Sequence, residues 1–594
     1  MIRTPLRPLA RILSARARGE NPDAIEHEGR RQRREQARDQ ARRIAEGRLL
    51  VLGGLLMLAF AAVGVQMARL AVTSVEPPRL AQLGAAISGA RADITDRHGR
   101  ILATNLRTHS LYAQPPQMID PQHAARELAR IFPDLDAEAL ERRFSDEGRR
   151  FVWIKRRLSP EQAQQVRDIG DPGLLFGPRE MRLYPNGALA AHVLGGTQFG
   201  REGVRSAEIL GVAGVERSLD AELRDAGHGG APLQLSIDLS VQAAMRDVLE
   251  GGMRMLNAKG ATAVLMDARS GEIVGLSSLP DFDPNDRPAP LPDGDRGDSP
   301  LFNRAVQGVY ELGSVMKVFA AAQALDEGLV TPDSILDTRG PMRWGRHRIS
   351  DFRDYGNEMS VHDIIVKSSN IGTARMAIEI GAQEQRAFLD RLGFLTPVSV
   401  ELSEAQSGRP LLPGNWSEIS AITISYGHGL SSSALHLAAG YAAMVNGGTT
   451  VTPTLLRGGG TGGGERVIST QTSQQIRDML RAVVAEGTAS MGEVPGYRVG
   501  GKTGTADKPG VRGGYEEGKV ISTFAGAFPM DDPKYVFVVT LDEPEDRGGA
   551  EPRRTAGWTA VPVAAEIIRR AGPLLGLRPE IEPRAGNALT PVRN

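Results

Sequence analysis

The chain has 594 residues, 71 basic and 71 acidic side chains, and no cysteine. The length exceeds one ordinary domain, and an apolar fraction of 41% excludes a wholly disordered chain. Lack of cysteine excludes a disulfide framework, thiol catalysis and thiolate-bound metal, and balanced charge argues against a broadly basic nucleic-acid binder.

Charge is unevenly placed. Residues 1–48 hold 13 arginines and 7 acidic residues, a net +6, so the remainder carries −6. Residues 49–68, between Arg48 and Arg69, carry no charge. Twenty apolar residues at the helical rise span a bilayer core, so a single transmembrane helix is expected there. A buried core helix and a cleaved signal peptide fit less well: no amphipathic face is visible, and 48 residues precede the segment. Arginine ahead of a first span places the N-terminus in the cytoplasm and everything from Arg69 outside it. The run Arg30, Arg31, Arg33, Arg34 then reads as a lipid-facing and topology-setting element rather than a nucleic-acid patch.

Residues 69–230 form a mixed region, with strand-like pieces at 99–103 and 151–154 and a helical pattern over 121–132. A second domain is expected over 231–572, followed by a tail, 573–594. Two β-like runs, 261–266 and 272–277, flank the turn 269–271 and predict a hairpin. Residues 280–300 read as a loop, 314–445 as mostly helical, and 458–464 as a glycine-rich loop. Strands return at 520–528 and 535–541, and a last helix covers about 557–571. Strands at both ends of a helical block predict one α+β domain whose sheet is completed by the C-terminal strands.

Of the 71 basic residues only 8 are lysine, so a lysine inside a motif is informative. Ser314-Val-Met-Lys317 opens an almost wholly apolar stretch, which predicts a buried helix. Residues i and i+3 share a helix face, so Lys317 can reach the Ser314 hydroxyl, and the helix N-terminus favours negative charge on that oxygen. The pattern suits an activated serine nucleophile, but taken alone it is also what an N-capping serine beside an ordinary lysine gives. Ser368-Ser369-Asn370 reads by itself as a polar helix start. Lys502-Thr503-Gly504-Thr505 fits a strand with a closely approached backbone, where a lysine and hydroxyls suit a substrate carboxylate.

Residues 496–503 also match the P-loop pattern, and Asp542-Glu543 imitates a magnesium-binding strand end. A P-loop nucleotidase needs a strand before the first glycine and a helix starting at Lys-Thr, and neither is expected here. The scattered histidines lack metal-ligand spacing, and no Gly-x-Ser-x-Gly elbow is present.

Ser-x-x-Lys, Ser-x-Asn and Lys-Thr-Gly, 54 and then 134 residues apart, resemble the three active-site motifs of penicillin-binding proteins and serine β-lactamases. The flanking segments 303–314, 426–429 and 541–544 are similar to the monofunctional (class B) penicillin-binding proteins, most closely the cell-division transpeptidases of FtsI type. Arg91 to Gly99 and the segment 182–187 match the non-catalytic pedestal. Leu312 and Ala92 depart from the usual proline and glycine. The resemblance implies an elongated pedestal domain of dimerisation type and a C-terminal transpeptidase domain of penicillin-binding/β-lactamase-like fold. Ser314 is then the nucleophile toward the penultimate D-alanine of a peptidoglycan stem peptide, and Lys317 the base. Ser368 relays a proton, Asn370 orients lysine and substrate, and Lys502, Thr503, Gly504 and Thr505 hold the terminal carboxylate. No metal or organic cofactor is implied. β-Lactams are expected to acylate Ser314. An integral-membrane glycosyltransferase and other division proteins are the expected partners. An elongation-specific transpeptidase, a D,D-carboxypeptidase and a non-enzymatic membrane scaffold are the alternatives. The Glu-x-x-Leu-Asn signature of water-activating β-lactamases is absent.

Overall fold

A computed structural model describes residues 7–20, 31, 35–36, 38, 47–48, 50–64, 91–202, 207–225, 231–460, 462–510 and 514–580. The chain forms two compact units, Met1–Gly84 and Ala85–Asn594. In the first, Arg7–Ala17 and residues 50–64 are helical. No helix among the described residues is long and apolar enough to cross a membrane. Residues 49 and 65–68 of the expected span lie outside the described residues.

The second unit begins with a sheet built on the 13-residue strand Ile101–Ala113. That strand pairs antiparallel with Leu174–Leu183 and, through its C-terminal half, with Val152–Leu158. Helices Pro121–Ile131, Ala137–Phe144 and Pro160–Ile169 cover this end. Each starts on a side-chain cap, from Asp120, Asp136 and Ser159, which satisfies N–H groups that the first helical turn leaves open. Leu111, Leu128, Phe132, Phe144 and Val166 form a core of their own here. The sequence pattern found the 121–132 helix and the start of the first strand, but not the strand's length or its partner at 174–183.

At the other end of the pedestal the Glu216 carboxylate is fully buried between two arginines. Arg91 Nε donates to it at 2.6 Å and Arg182 Nε at 2.7 Å. Arg91 also reaches Asp220 at 2.7 Å, and the Tyr184 hydroxyl donates to Glu216 at 3.2 Å. Arg91, Arg182 and Tyr184 belong to the two pedestal segments singled out in the sequence, whereas Glu216 and Asp220 lie outside them.

The pedestal is tied to the following domain by backbone. Leu233–Gln234 runs parallel to Ile94–Thr95, so the expected boundary at 230/231 falls just before a strand that completes the pedestal sheet. Asn285, in the 280–300 loop, uses both arms of its amide on Tyr184. Its Oδ1 accepts the Tyr184 N–H at 2.9 Å and its Nδ2 donates to the Tyr184 carbonyl at 2.8 Å.

The second domain holds a five-stranded sheet of β1 (Gly260–Asp267), β2 (Ile273–Leu279), β3 (Gly500–Pro509), β4 (Tyr515–Phe528) and β5 (Tyr535–Asp542). Its order is β3-β4-β5-β1-β2, and all pairs are antiparallel. The expected hairpin is β1–β2, and the C-terminal strands complete the sheet as anticipated. Strands β1, β2 and β5 are buried nearly throughout, which fits their mostly apolar sequences. Helices Leu239–Met255 and Ala560–Leu574 pack together over one face, and Ala434–Val445 and Thr470–Ala485 form a second group. The apolar helix Lys317–Asp326 is buried from Lys317 to Leu325. β3 lies at the edge of the sheet, and the three sequence motifs gather beside it.

Candidate active site

Ser314 belongs to a 3₁₀ turn, Gly313–Met316, which passes into the α-helix at Lys317. This turn sits against β3 with almost no space between backbones. A methyl group on Gly504 would fall on the Leu312 carbonyl, and one on Gly313 would lie 2.7 Å from the Thr505 carbonyl oxygen. Gly313 is also at φ +64°, a conformation open to glycine at little cost. Its N–H donates to the Gly427 carbonyl at 3.2 Å, and a side chain on Gly427 would collide with the Gly313 carbonyl. Glu311 fixes the approach to the turn by accepting the Gly429 N–H at 2.6 Å and the Tyr515 hydroxyl at 3.0 Å. The motif residues Gly427 and Gly429 are thus the mould in which the serine turn is cast.

Ser368 caps helix Val361–Lys367 in the left-handed conformation at φ +68°. That strained position turns its polar groups toward the lysines. Lys317 Nζ donates to the Ser368 carbonyl at 2.6 Å and lies 3.1 Å from its Oγ. Lys502 Nζ reaches the same Oγ at 2.9 Å. Both lysines are fully buried. Burial and the neighbouring Lys502 hold the Lys317 amine well below its ordinary range, opposed by Asp351. Burial alone brings Lys502 down to about 7. Two ammonium ions cannot both persist on one oxygen in a dry site, so the cluster favours a neutral amine.

Lys502, Thr503 and Thr505 lie on β3 in register with β4. The Thr503 hydroxyl pairs with that of Thr488 at 2.8 Å, and the Thr505 hydroxyl accepts the Ala556 N–H at 3.0 Å, leaving its own proton to donate. Asn370 opens the next helix and donates its amide to the Ser350 carbonyl at 2.9 Å. In this arrangement it makes no hydrogen bond to Lys317. The structure therefore joins Ser368, Lys317 and Lys502 in one cluster beside the Ser314 turn.

Sequence reasoning missed Asp351, which carries no motif. Its carboxylate accepts the Ser369 hydroxyl at 2.7 Å and the Ile371 N–H at 3.0 Å, and it also accepts the Asn370 N–H. It thereby pins the Ser-Ser-Asn segment and places a negative charge near Lys317. Thr488 was missed for the same reason, since a lone threonine after a helix gives no signal. The P-loop reading fails on geometry. Residues 500–509 are a strand, no helix starts at Lys502, and the Lys502 amine is buried against Ser368.

A serine on a tight turn, a buried amine with depressed basicity and a hydroxyl-lined strand edge define a serine acyltransferase. The comparisons narrow the class. The penicillin binding protein transpeptidase domain matches residues 261–569, and the penicillin-binding protein dimerisation domain matches 86–230. The chain is 36% identical to the probable peptidoglycan D,D-transpeptidase FtsI of Caulobacter vibrioides, covering 84% of this chain and 83% of that one. It is 32% identical to the probable peptidoglycan D,D-transpeptidase PenA of Neisseria gonorrhoeae, covering 85% and 88%. The crystal structure of penicillin-binding protein 3 from Mycobacterium tuberculosis complexed with aztreonam superposes with a TM-score of 0.61 at 25% identity, over 83% of this chain and 98% of that one. The chain belongs to the penicillin-binding protein transpeptidase family, with the two-domain architecture of dimerisation and transpeptidase domains.

Proposed function

We propose that this protein is the peptidoglycan D,D-transpeptidase of septal wall synthesis, working through an acyl-enzyme on Ser314. The observation that carries the reading is the Lys317–Ser368–Lys502 cluster beside the Ser314 turn. Neutral Lys317 takes the Ser314 proton as Oγ attacks the carbonyl carbon of the penultimate D-alanine. The N–H groups of Ser314 and Thr505 receive the oxyanion. Collapse breaks the C–N bond to the terminal D-alanine, whose nitrogen gains the proton through Ser368. The terminal carboxylate lies against the hydroxyls of Thr503 and Thr505 and the amine of Lys502, with Gly504 letting the serine turn pack close to that strand. An amine of a second stem peptide then attacks the ester, forming the cross-link and freeing Ser314. β-Lactams, which imitate the D-Ala-D-Ala end, acylate the same oxygen.

The finer features belong to the same proposal. Residues 49–68 anchor the chain in the cytoplasmic membrane, with residues 1–48 inside and the rest outside. The uncharged sequence and the exposed apolar side chains of Leu52, Leu56, Phe60 and Val63 support this. An integral-membrane glycosyltransferase supplies the strands to be cross-linked.

Labelling of membranes with a fluorescent penicillin tests the chemistry. Ser314→Ala is expected to lose the band while the protein remains folded, and a band that survives would sink the assignment. Depletion should give filaments, whereas rounded cells would favour an elongation role.

A further inference from the structure

The serine and the lysine are held by an unusual local geometry. A 3₁₀ turn has three residues per repeat, so its positions i and i+3 stand on one line, whereas an α-helix offsets them by about 60°. Met316 and Lys317, with ψ of −21° and −28°, keep the 3₁₀ form to the point where the α-helix begins. Ser314 and Lys317 are therefore aligned by the tighter turn, and something must keep it from relaxing into the α-helix that follows.

The glycine contacts with β3 and Gly427 confine the turn from outside. From the interior comes a single side chain. The Tyr441 hydroxyl donates to the Val315 carbonyl at 2.9 Å, across 126 residues of sequence. Among the described residues this is the one side-chain hydrogen bond to the Gly313–Met316 backbone. Tyr441 is fully buried on helix Ala434–Val445. Its ring meets Phe319, on the Lys317 helix, edge-on at 5.6 Å, and Phe319 in turn meets Phe394 at 5.0 Å. Burial raises the phenol well above its ordinary range, so it stays a donor at working pH.

Accepting the assignment of Ser314 and Lys317 above, we propose that Tyr441 is a positioning residue for acylation. Its hydroxyl fixes the direction of the Val315 carbonyl and so keeps the nucleophile and its base on one line. The effect is on the rate of bond formation and not on the fit of the substrate, because Tyr441 lies in the core behind the turn.

Stopped-flow acylation of the full-length protein in detergent by a fluorescent penicillin separates non-covalent affinity from the acylation rate constant. Tyr441→Phe keeps the ring and removes one hydrogen bond. It is expected to lower the rate constant about fivefold to tenfold, with affinity unchanged and the unfolding midpoint nearly so. Phe394→Leu loosens the same aromatic cluster without touching the hydroxyl. It should lower the midpoint and leave the rate constant within about twofold of wild type. Amide hydrogen exchange over residues 316–319 should quicken in Tyr441→Phe and not in Phe394→Leu. A Tyr441→Phe rate constant within about twofold of wild type, a drop confined to affinity, or equal exchange in the two variants would overturn the proposal. Wild-type protein that resists acylation would instead bring down the assignment of Ser314.

Discussion

Ser368 Oγ stands 3.1 Å from one buried amine and 2.9 Å from another, so charge on either lysine is felt by both. Under the proposed mechanism acylation needs Lys317 neutral, so its rate should rise with pH through the value at which Lys317 loses its proton. Lys502 lowers that value and Asp351 raises it. Lys502→Met should therefore move the acidic limb of the pH–rate profile to higher pH, and Asp351→Asn should move it to lower pH. Profiles of penicillin acylation read the two shifts, and shifts of the same sign would contradict the electrostatic account. The same lysines cost stability. Lys502 sits near 7 in the fold against an ordinary 10.5. Between those values the unfolded chain binds more protons, so stability rises with pH across that window. Lys502→Met should raise the unfolding midpoint by several degrees at pH 7, with the gain fading toward pH 10. Thermal unfolding at both pH values measures it.

At the scale of elements, the active site is an edge strand and a turn pressed together through glycine. Gly504→Ala puts a methyl group on the Leu312 carbonyl and must separate β3 from the serine turn. The proposed oxyanion site spans that seam, so acylation should fall by about 10²-fold or more, while β3 keeps its ladder to β4 and the fold survives. Rate constants and circular dichroism of the variant decide this. The seam also explains what was legible in the sequence. Ser314 and Lys317 are three apart, Lys502 sits in a strand-like run, and the hairpin of β1 and β2 is local, so pattern and spacing predicted the hairpin and made the three residues candidates, while the resemblance of the motif set gave them their roles. Asp351, Thr488 and Tyr441 join the site through contacts spanning 15 to 126 residues, set by packing that no local pattern encodes. The left-handed turn at Ser368 was hidden because serine is an ordinary helix cap, and the groups that hold it, Lys317 and Lys502 on Ser368 and Asp351 on the three residues after it, are all distant in sequence.

Across the whole second unit, two charge clusters do different work. The one beside the serine turn gives its two lysines hydroxyl and carbonyl partners but, among the described residues, no carboxylate contact. The pedestal one satisfies Glu216 fully, with both arginine side chains only 1% exposed. Glu216→Gln would leave Arg91 and Arg182 buried without their shared counter-charge, at a cost of about 3–5 kcal/mol. Urea unfolding should show this loss, while penicillin acylation of the still-folded protein continues at the wild-type rate. Loss of acylation without loss of stability would mean that the pedestal reports directly on the serine turn.

The sheet stops at β3, one strand short of where its hydrogen bonding could continue. An unfinished ladder usually invites unwanted pairing between chains. Under the proposed function it serves as the reading head, with the stem peptide as a transient last strand. A ladder of this kind senses an extended backbone and a terminal charge; it has no means of asking whether the amide presented is open or closed into a ring. Susceptibility to antibiotics of the penicillin type is thus written into the manner of recognition. Narrowing the edge to refuse the ring also refuses the wall, so escape has to be found in relative rates rather than in shape.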